Sequence, residues 1–513
     1  MPSASAASSS AARSRPLSAW DRYWFGEASL VRLGAFRIVM MSLAMLAAYQ
    51  DRVIIFQFAG EPGAAYFAKT WRPIYAFQVL GVKPMDATTA HAVYVVLLAS
   101  IALGLLGLWT RVSCAIAAVL TFLWIGTDYS YGKPHHDCVT LVLGLLALPL
   151  GPVGARLSID SLIARIRRAR QGEDPISAPI EAPWAALPWR FTQITAAIGY
   201  GFAGASKIAI GGFTWLNGYT LQGTMLEYNA PWTAFLAHSV LLCSLMSIGV
   251  VIIQGTFPLV FFSRRLRWFY VPGAILFHLV SWKTLDTGLF LTLWMTLASF
   301  IELDRVPAFV HARATSGPGW LRAAWIAVIT ASAAIVVSLY FNTLPSWTPL
   351  AIVPLVAAAV LACLRDAELD VIYDGDCGVC RTTIAWLAAL NWSRRLRFLD
   401  LAEWERVAAL HPSLDRDACL RDMPVVTRSG RVFKGYDAYR AVALRLPLAV
   451  WIAPLMALPV VSHVGRRVYR QVADNRWRTS CSIAPRRTPA ASGTAASATS
   501  SAAARAASEA DTR

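Results

Sequence analysis

The stretch DVIYDGDCGVCRTTIAWLAALNW, residues 370–392, decides how the C-terminal third of this chain is read. Residues 370–375 are a β-type run, with Val371, Ile372 and Tyr373 of the branched and aromatic kinds that suit a pleated surface. From 382 to 392 apolar residues recur at helical spacing. Cys377 and Cys380 fall between strand and helix, and that placement has a chemical consequence. The thiolate is the attacking species in disulfide exchange, and the free N–H groups and dipole at a helix N-terminus stabilise it. Two intervening residues let the second thiol fold back on the first, so Cys377 is predicted as nucleophile and Cys380 as resolving partner. Gly375 and Gly378 permit the tight turn and are expected to keep Cys377 accessible. Asp374 and Asp376 work the other way, because nearby negative charge raises a thiol pKa. Such carboxylates act as proton acceptors or bond to backbone N–H groups.

Downstream, LRFLDL (396–401) reads as a second strand and PVVTRSGRVFKG (424–435) as a hairpin turning at Ser429–Gly430. Pro424 opens that hairpin 44 residues after Cys380. It is assigned the role of a cis-proline set against the Cys pair, a bond geometry that only X–Pro reaches at small cost. The order strand, helix, strand, hairpin predicts a small α/β domain over 366–483. The alternative for a lone Cys-x-x-Cys is half a zinc site. Its other half would have to come from the isolated Cys419 and Cys481, and His411 and His463 are not at ligand spacing. No metal is predicted. Residues 484–513 are rich in Ala, Ser and Thr and are predicted to be disordered.

Upstream the texture changes. Hydrophobic residues make up 56% of the 513 and charged residues 15%, against roughly 25% charged in soluble domains, and mean hydropathy is +0.49. Apolar runs approach the roughly 20 residues that cross a bilayer, and the 20 Trp fit a chain with rings at the lipid–water boundary. About ten membrane helices are predicted, near 30–50, 88–109, 112–128, 138–154, 191–210, 236–262, 268–283, 286–302, 322–342 and 346–364. The pair at 268–283 and 286–302 is short for full spans. The fold class is therefore a polytopic α-helical membrane domain (18–305, with additional helices in 306–365) followed by the small α/β domain. A disordered tail is predicted over 1–17.

The net charge of +17 would suggest nucleic acid on a soluble protein. Here the arginines gather in short loops, the cytoplasmic pattern, and no nucleic-acid motif accompanies them. With the N-terminus inside, the loops holding Arg111, Arg264–Arg267 and Arg305–Arg322, and above all RLSIDSLIARIRRAR (156–170), fall inside, and both termini are cytoplasmic. Loop 51–87, with Arg52, Lys69, Arg72 and Lys83, fits least well. Of the 8 Cys, Cys114, Cys138, Cys243 and Cys363 lie in or beside apolar runs and read as packed small hydrophobes.

Ionisable groups inside a membrane are expensive and are functional candidates by default. Lys207, in GYGFAGASKIAIGGFTW (199–215), lies near the predicted outer end of its helix, where it also has the option of snorkelling to the headgroups. The small residues Gly199, Gly201, Ala203, Gly204 and Ala205 before it permit close helix packing. His136 and His278 fall on the same predicted side. Three such groups together could bind an anion or abstract a proton, although a buried His on an apolar helix is more often a hydrogen-bonded packing residue than a catalyst.

VIYDGDCGVC resembles the signature of the DCC family of thiol-disulfide oxidoreductases. GRVFKGYDAYRAVALRLP (430–447), VYRQVADNRWR (468–478) and Cys481 are similar to later parts of that family. The resemblance implies a thioredoxin-like fold, with Asp374 the family aspartate and Cys377 and Cys380 the redox pair. GKPHHDCVTLVLGLLAL (132–148), YGFAGASKIAIGGFTWLNGY (200–219) and FHLVSWKTLDTGLF (277–290) resemble the HTTM membrane domain, shared with the vitamin K-dependent gamma-carboxylase, over 18–305. That resemblance implies Lys207 as the base that deprotonates a quinol, His136 and His278 at family histidine positions, and a quinone as possible cofactor. The chain departs from the carboxylase after its membrane part, where further helices and the thiol domain replace a large luminal domain. Gln254 also stands where an acid is expected.

Three functions follow. The first is a membrane-bound thiol-disulfide oxidoreductase, of protein-disulfide reductase type, in a bacterial-type inner membrane. It would use the cytoplasmic Cys pair on a thiol or disulfide protein partner, in the reducing direction that the compartment favours. The second is a membrane enzyme with Lys207 as general base on a quinone or lipid-like substrate. The third is a scaffold or transporter with a redox-sensing tail.

Overall fold

The computed structural model describes residues 18–59, 70–132, 138–228, 234–285, 296–306, 318–320, 368–391, 394–446 and 452–480, with 309, 324, 449 and 450. His136, Cys363, Cys481, both predicted tails and nearly all of the helices expected over 322–364 lie outside the described residues.

The N-terminal region is helical. Its elements are α1 (Ala19–Phe25), β1 (Ala28–Ser29), α2 (Leu30–Ala59), α3 (Tyr75–Leu80), α4 (Ala87–Leu106), α5 (Thr110–Tyr131), α6 (Val139–Ala147), α7 (Ile159–Arg170), β2 (Glu181–Ala182), α8 (Leu187–Gly211), α9 (Tyr219–Tyr228), α10 (Ala234–Ala237), α11 (Val240–Thr256) and α12 (Arg264–Leu285). Among the described residues four helices are long and apolar enough to cross a membrane: α2, α4, α5, and α11 with its continuation to Phe261. α2 sits at the centre, with Leu33, Phe36, Met40, Leu43 and Ala44 buried against α4 and α5. The outer helices turn apolar side chains outward as well: Val95 and Val96 on α4, Val112, Ile116 and Val119 on α5, Leu241, Leu245 and Ile252 on α11. Helices apolar on both faces are compatible with a membrane protein.

Several boundaries differ from the sequence expectation. The first helix extends past residue 50 to Ala59. The helix expected over 236–262 gives way after Thr256 to a 3-10 turn, Phe257–Phe261, because Pro258 has no N–H to continue the α-helical ladder. The helix expected over 286–302 is described only from 296, where Thr296–Phe300 forms a 3-10 turn. Segment 156–170, read for its charge, contains the amphipathic helix α7. Ser158 caps it, its Oγ accepting from the Ser161 N–H at 3.0 Å, and Arg167, Arg168 and Arg170 occupy the last turn where the helix dipole favours cations.

The C-terminal domain comprises β3 (Leu369–Tyr373), α13 (Gly378–Leu390), β4 (Leu396–Asp400), α14 (Trp404–Leu410), α15 (Arg416–Arg421), β5 (Val425–Thr427), β6 (Val432–Phe433), α16 (Gly435–Ala443), α17 (Ile452–Ala457) and α18 (Pro459–Ser480). The strand order is β4-β3-β5-β6, with β3 parallel to β4 and β5 antiparallel to both β3 and β6. β3 is buried at every residue because helices cover both faces. Leu369, Val371 and Tyr373 pack with Ile384 and Leu387 of α13 and Ala438 and Val442 of α16. Ile372 packs on the other face with Val407 of α14 and Cys419 of α15. The helix carrying the motif starts at Gly378, four residues before the apolar periodicity begins, and α7 lies along it.

One buried carboxylate ties this domain together. Asp370 on β3 stands opposite Arg397 on β4. Arg397 Nε donates to its Oδ1 at 2.6 Å and Nη2 to its Oδ2 at 2.5 Å, while His411 Nε2 approaches Oδ2 at 2.8 Å. Burial pushes the Asp370 carboxyl up, but the hydrogen bonds and charges of Arg397 and His411 outweigh it and hold the carboxyl below its usual value. The stabilisation is therefore complete above the unfolded carboxyl pKa, about 4, and is lost as pH falls through the lower folded value. Asp370→Asn is expected to cost about 1–3 kcal/mol at pH 7. It should also flatten the acid limb of the thermal-unfolding profile between pH 7 and pH 3. An unchanged acid limb would show that the triad contributes nothing.

Candidate functional site

The thiol site grows directly from the strand–turn–helix passage. β3 ends at Tyr373 and the chain turns at Asp374, whose Oδ1 accepts the Asp376 N–H at 3.0 Å. This carboxylate therefore takes the second of the two roles open to it, acceptance from backbone. Gly375 passes so close to β4 that a Cβ would sit 2.1 Å from Asp400 Oδ2, and its N–H donates to Asp400 Oδ1 at 3.1 Å. Glycine is required here by close approach rather than by backbone dihedral. Asp400 thus holds the turn in place, a role invisible in the sequence, since nothing local links residues 375 and 400.

Cys377 is the N-cap of α13, extended at φ −83° and ψ 118°, and its carbonyl accepts the Arg381 N–H at 2.9 Å. Cys380 lies in the first turn, and both cysteines are buried, so the flanking glycines do not leave Cys377 accessible as expected. The Cys377 sulfur receives the Cys380 thiol, which lowers its pKa most. The backbone N–H groups of Cys380 and Val379 lower it further, against burial and the Asp374 charge, and the thiol comes down to about 6. The helix terminus contributes as the sequence suggested, but the second cysteine contributes more. The thiolate is thus favoured at neutral pH relative to an ordinary cysteine.

Pro424 is buried at the entrance to β5, and its carbonyl accepts the Ile372 N–H at 3.0 Å. It is thus anchored to the strand that delivers the motif. The hairpin turns at Gly430, φ 80°, as expected. Cys419 is not part of this site. It is buried among Ile372, Leu399, Val407 and Val426 on the sheet face opposite α13, and burial pushes its thiol up. Among the described residues no group of three or more His, Cys, Asp or Glu is placed to hold a metal ion.

A second polar cluster lies between α8, α11 and α12. Lys207 Nζ donates to Gln254 Oε1 at 2.8 Å and to the Ala203 carbonyl at 3.1 Å, and stands 5.4 Å from the Trp215 ring centroid. His278 Nε2 lies 2.8 Å from Tyr200 Oη, and Tyr200 stacks on Phe257 at 4.5 Å. Tyr200, Gly204 and Lys207 share one stripe of α8. Gly204 is the crossing point, where a Cβ would lie 2.3 Å from the Gly255 nitrogen. Gly201 meets Pro258, whereas Gly199 faces open space. Lys207 and His278 thus line the same face of α8 with different partners. Tyr200 was missed by sequence reading, since a tyrosine in an apolar run carries no signal of its hydroxyl's partner. So was Arg37 of α2, which is fully buried and donates to the Val153 and Leu157 carbonyls at 2.8 and 2.5 Å. An arginine inside the run 30–50 was the available sign.

The sheet thus delivers two hydrogen-bonded thiols to the N-terminus and first turn of a helix. Residues 371–482 match the family model of DCC1-like thiol-disulfide oxidoreductases, so the match falls within the C-terminal domain and supports that role at family level. No curated protein and no solved structure matches the chain.

Proposed function

We propose that this chain is a membrane-anchored thiol-disulfide oxidoreductase acting in the reducing direction through Cys377 and Cys380. The observation that carries the reading is the Cys377 sulfur at the N-cap of α13, lowered to about 6 by the Cys380 thiol and the backbone N–H groups. The Cys377 thiolate attacks one sulfur of a partner disulfide, forming a mixed disulfide and releasing the other sulfur as thiolate. Cys380 loses its proton to solvent or to the leaving thiolate and attacks Cys377 Sγ. The partner's second sulfur is expelled, and the pair is left oxidised by two electrons. A thiol protein in the cytoplasm restores the dithiol. The strand order β4-β3-β5-β6, with Pro424 beside β3, supports a thioredoxin-like fold. The four apolar helices support the membrane anchor.

The Lys207–Gln254 pair supports a second reading, in which the HTTM-like region acts on a quinone or lipid-like substrate with Lys207 as general base. One experiment separates the two. Full-length protein in membranes is assayed with Cys380→Ser, Cys377→Ser and Lys207→Ala. The thiol reading expects Cys380→Ser to accumulate mixed disulfides with a partner protein, which Cys377→Ser does not form and Lys207→Ala forms and resolves normally. Absence of any trapped partner, together with loss of function in Lys207→Ala alone, would overturn it in favour of the membrane enzyme.

A further inference from the structure

Beneath α7 lies a cavity of about 380 Å³ whose walls include Arg111, Arg165 and Arg168 together with Leu30, Pro152 and Val153. Positive charge is crowded there. Arg165 is buried, and burial together with Arg156 and Arg168 brings its guanidinium down to about 10. Arg156 is lowered by burial and by Arg168 and Arg394. Asp160 also lines the cavity, and its carboxylate and that of Asp174 nearby are committed to backbone and hydroxyl donors. Asp160 accepts from the Trp109 N–H at 3.0 Å and from the Thr110 N–H and Oγ1 at 2.7 and 2.6 Å. Asp174 accepts from the Ile176 and Ser177 N–H groups at 2.9 and 3.2 Å. The arginines spend part of their donor capacity on carbonyls: Arg111 Nε on Pro149, and Arg165 Nη1 on Pro175 and Ile176. A guanidinium carries five donors, so capacity remains for a tetrahedral anion.

Thr110 and Arg111, at the start of α5, line the cavity, and Val112, Ile116 and Val119 further along that helix are exposed on one face. A polar, cationic end joined to an apolar stripe fits an amphiphile with an anionic head better than a bare ion.

We propose that this cavity binds the phosphate of an anionic lipid through Arg111, Arg165 and Arg168, with an acyl chain along Val112, Ile116 and Val119. The proposal goes beyond the thiol chemistry and rests on the membrane reading of the N-terminal helices. Basic juxtamembrane groups attract such headgroups, and guanidinium–phosphate pairs are bidentate and strong.

The test uses the full chain in detergent, delipidated and then titrated with phosphatidylglycerol or phosphatidylcholine, with bound lipid read by native mass spectrometry. Phosphatidylglycerol is expected to bind in preference to phosphatidylcholine. Affinity should fall by about ten-fold or more in Arg111→Gln/Arg168→Gln and by less in the charge-retaining Arg111→Lys/Arg168→Lys, which loses the bidentate pairing but keeps the charge and also reports whether the fold tolerates change at these positions. Millimolar inorganic phosphate should not displace the lipid. Displacement by phosphate alone would overturn the lipid assignment and make the ligand a soluble phosphate. Equal binding of the two lipids, or unchanged binding in the double Gln variant, would overturn the site itself. Failure of the chain to fractionate with membranes would instead reject the membrane reading, independently of these titrations.

Discussion

Replacing Cys377 with serine is expected to reduce disulfide-exchange turnover at least about a thousand-fold, because a hydroxyl is neither a comparable nucleophile nor ionised near neutral pH. The sharper test is the pH dependence of alkylation. With its pKa brought down to about 6, the Cys377 sulfur should react with iodoacetamide at a rate that rises through pH 6 and is nearly flat above pH 7. An ordinary thiol continues to gain up to its pKa near about 8.5. The Cys380 thiol is the largest of the lowering influences, so Cys380→Ala should move the midpoint upward. Asp374 acts against the thiolate. Asp374→Asn, which keeps an oxygen acceptor for the Asp376 N–H and removes the charge, should move the midpoint downward. A midpoint near 8.5 in the unaltered protein would remove the basis for assigning Cys377 as the attacking group.

Gly204→Ala is expected to be strongly damaging to the packing of α8 on α11. The added carbon would lie 2.3 Å from the Gly255 nitrogen and 2.5 Å from its Cα, which are backbone atoms that no rotamer change can move aside. Relief requires α8 and α11 to separate, and overpacking of this kind costs about 1–3 kcal/mol or more. Separation also stretches the Lys207–Gln254 hydrogen bond, one turn further along the same stripe. Gly199→Ala meets nothing within 4 Å and should lie within about 0.5 kcal/mol of the parent. The comparison is read as thermal stability of the two purified variants in the same detergent. Equal stabilities would refute the close crossing.

The small-residue run 199–205 shows how far local sequence reaches. Its composition announces that some helix comes close, but only the antiparallel placement of α11 selects Gly204 and passes over Gly199. The same holds for Asp374. Its neighbourhood offered two roles, and the geometry of the turn selected acceptance of the Asp376 N–H. At Gln254, where resemblance led to the expectation of an acid, the structure supplies an amide oxygen that accepts from Lys207 without neutralising its charge.

Boundaries were less legible than elements. The helix carrying the Cys pair begins at Gly378, not at 382, since its first turn is occupied by the Cys-x-x-Cys motif and carries no apolar period. Segment 156–170 showed its charge but not its partner. Leu162, Ile163 and Ile166 are apolar at helical spacing, yet what they would pack against could not be read from them. α13 lies more than two hundred residues away.

By itself, then, the sequence determined the two-part organisation and the strand–Cys-x-x-Cys–helix passage. Each of these follows from periodicity, hydropathy and short-range spacing, which act within a few residues. The tertiary structure decided which groups oppose one another across long separations. It placed Asp400 against Gly375, Gln254 against Lys207, Tyr200 against His278, and Arg111, Arg165 and Arg168 around one cavity. Those pairings depend on how elements pack, and packing is set by the summed burial of many side chains rather than by any local stretch.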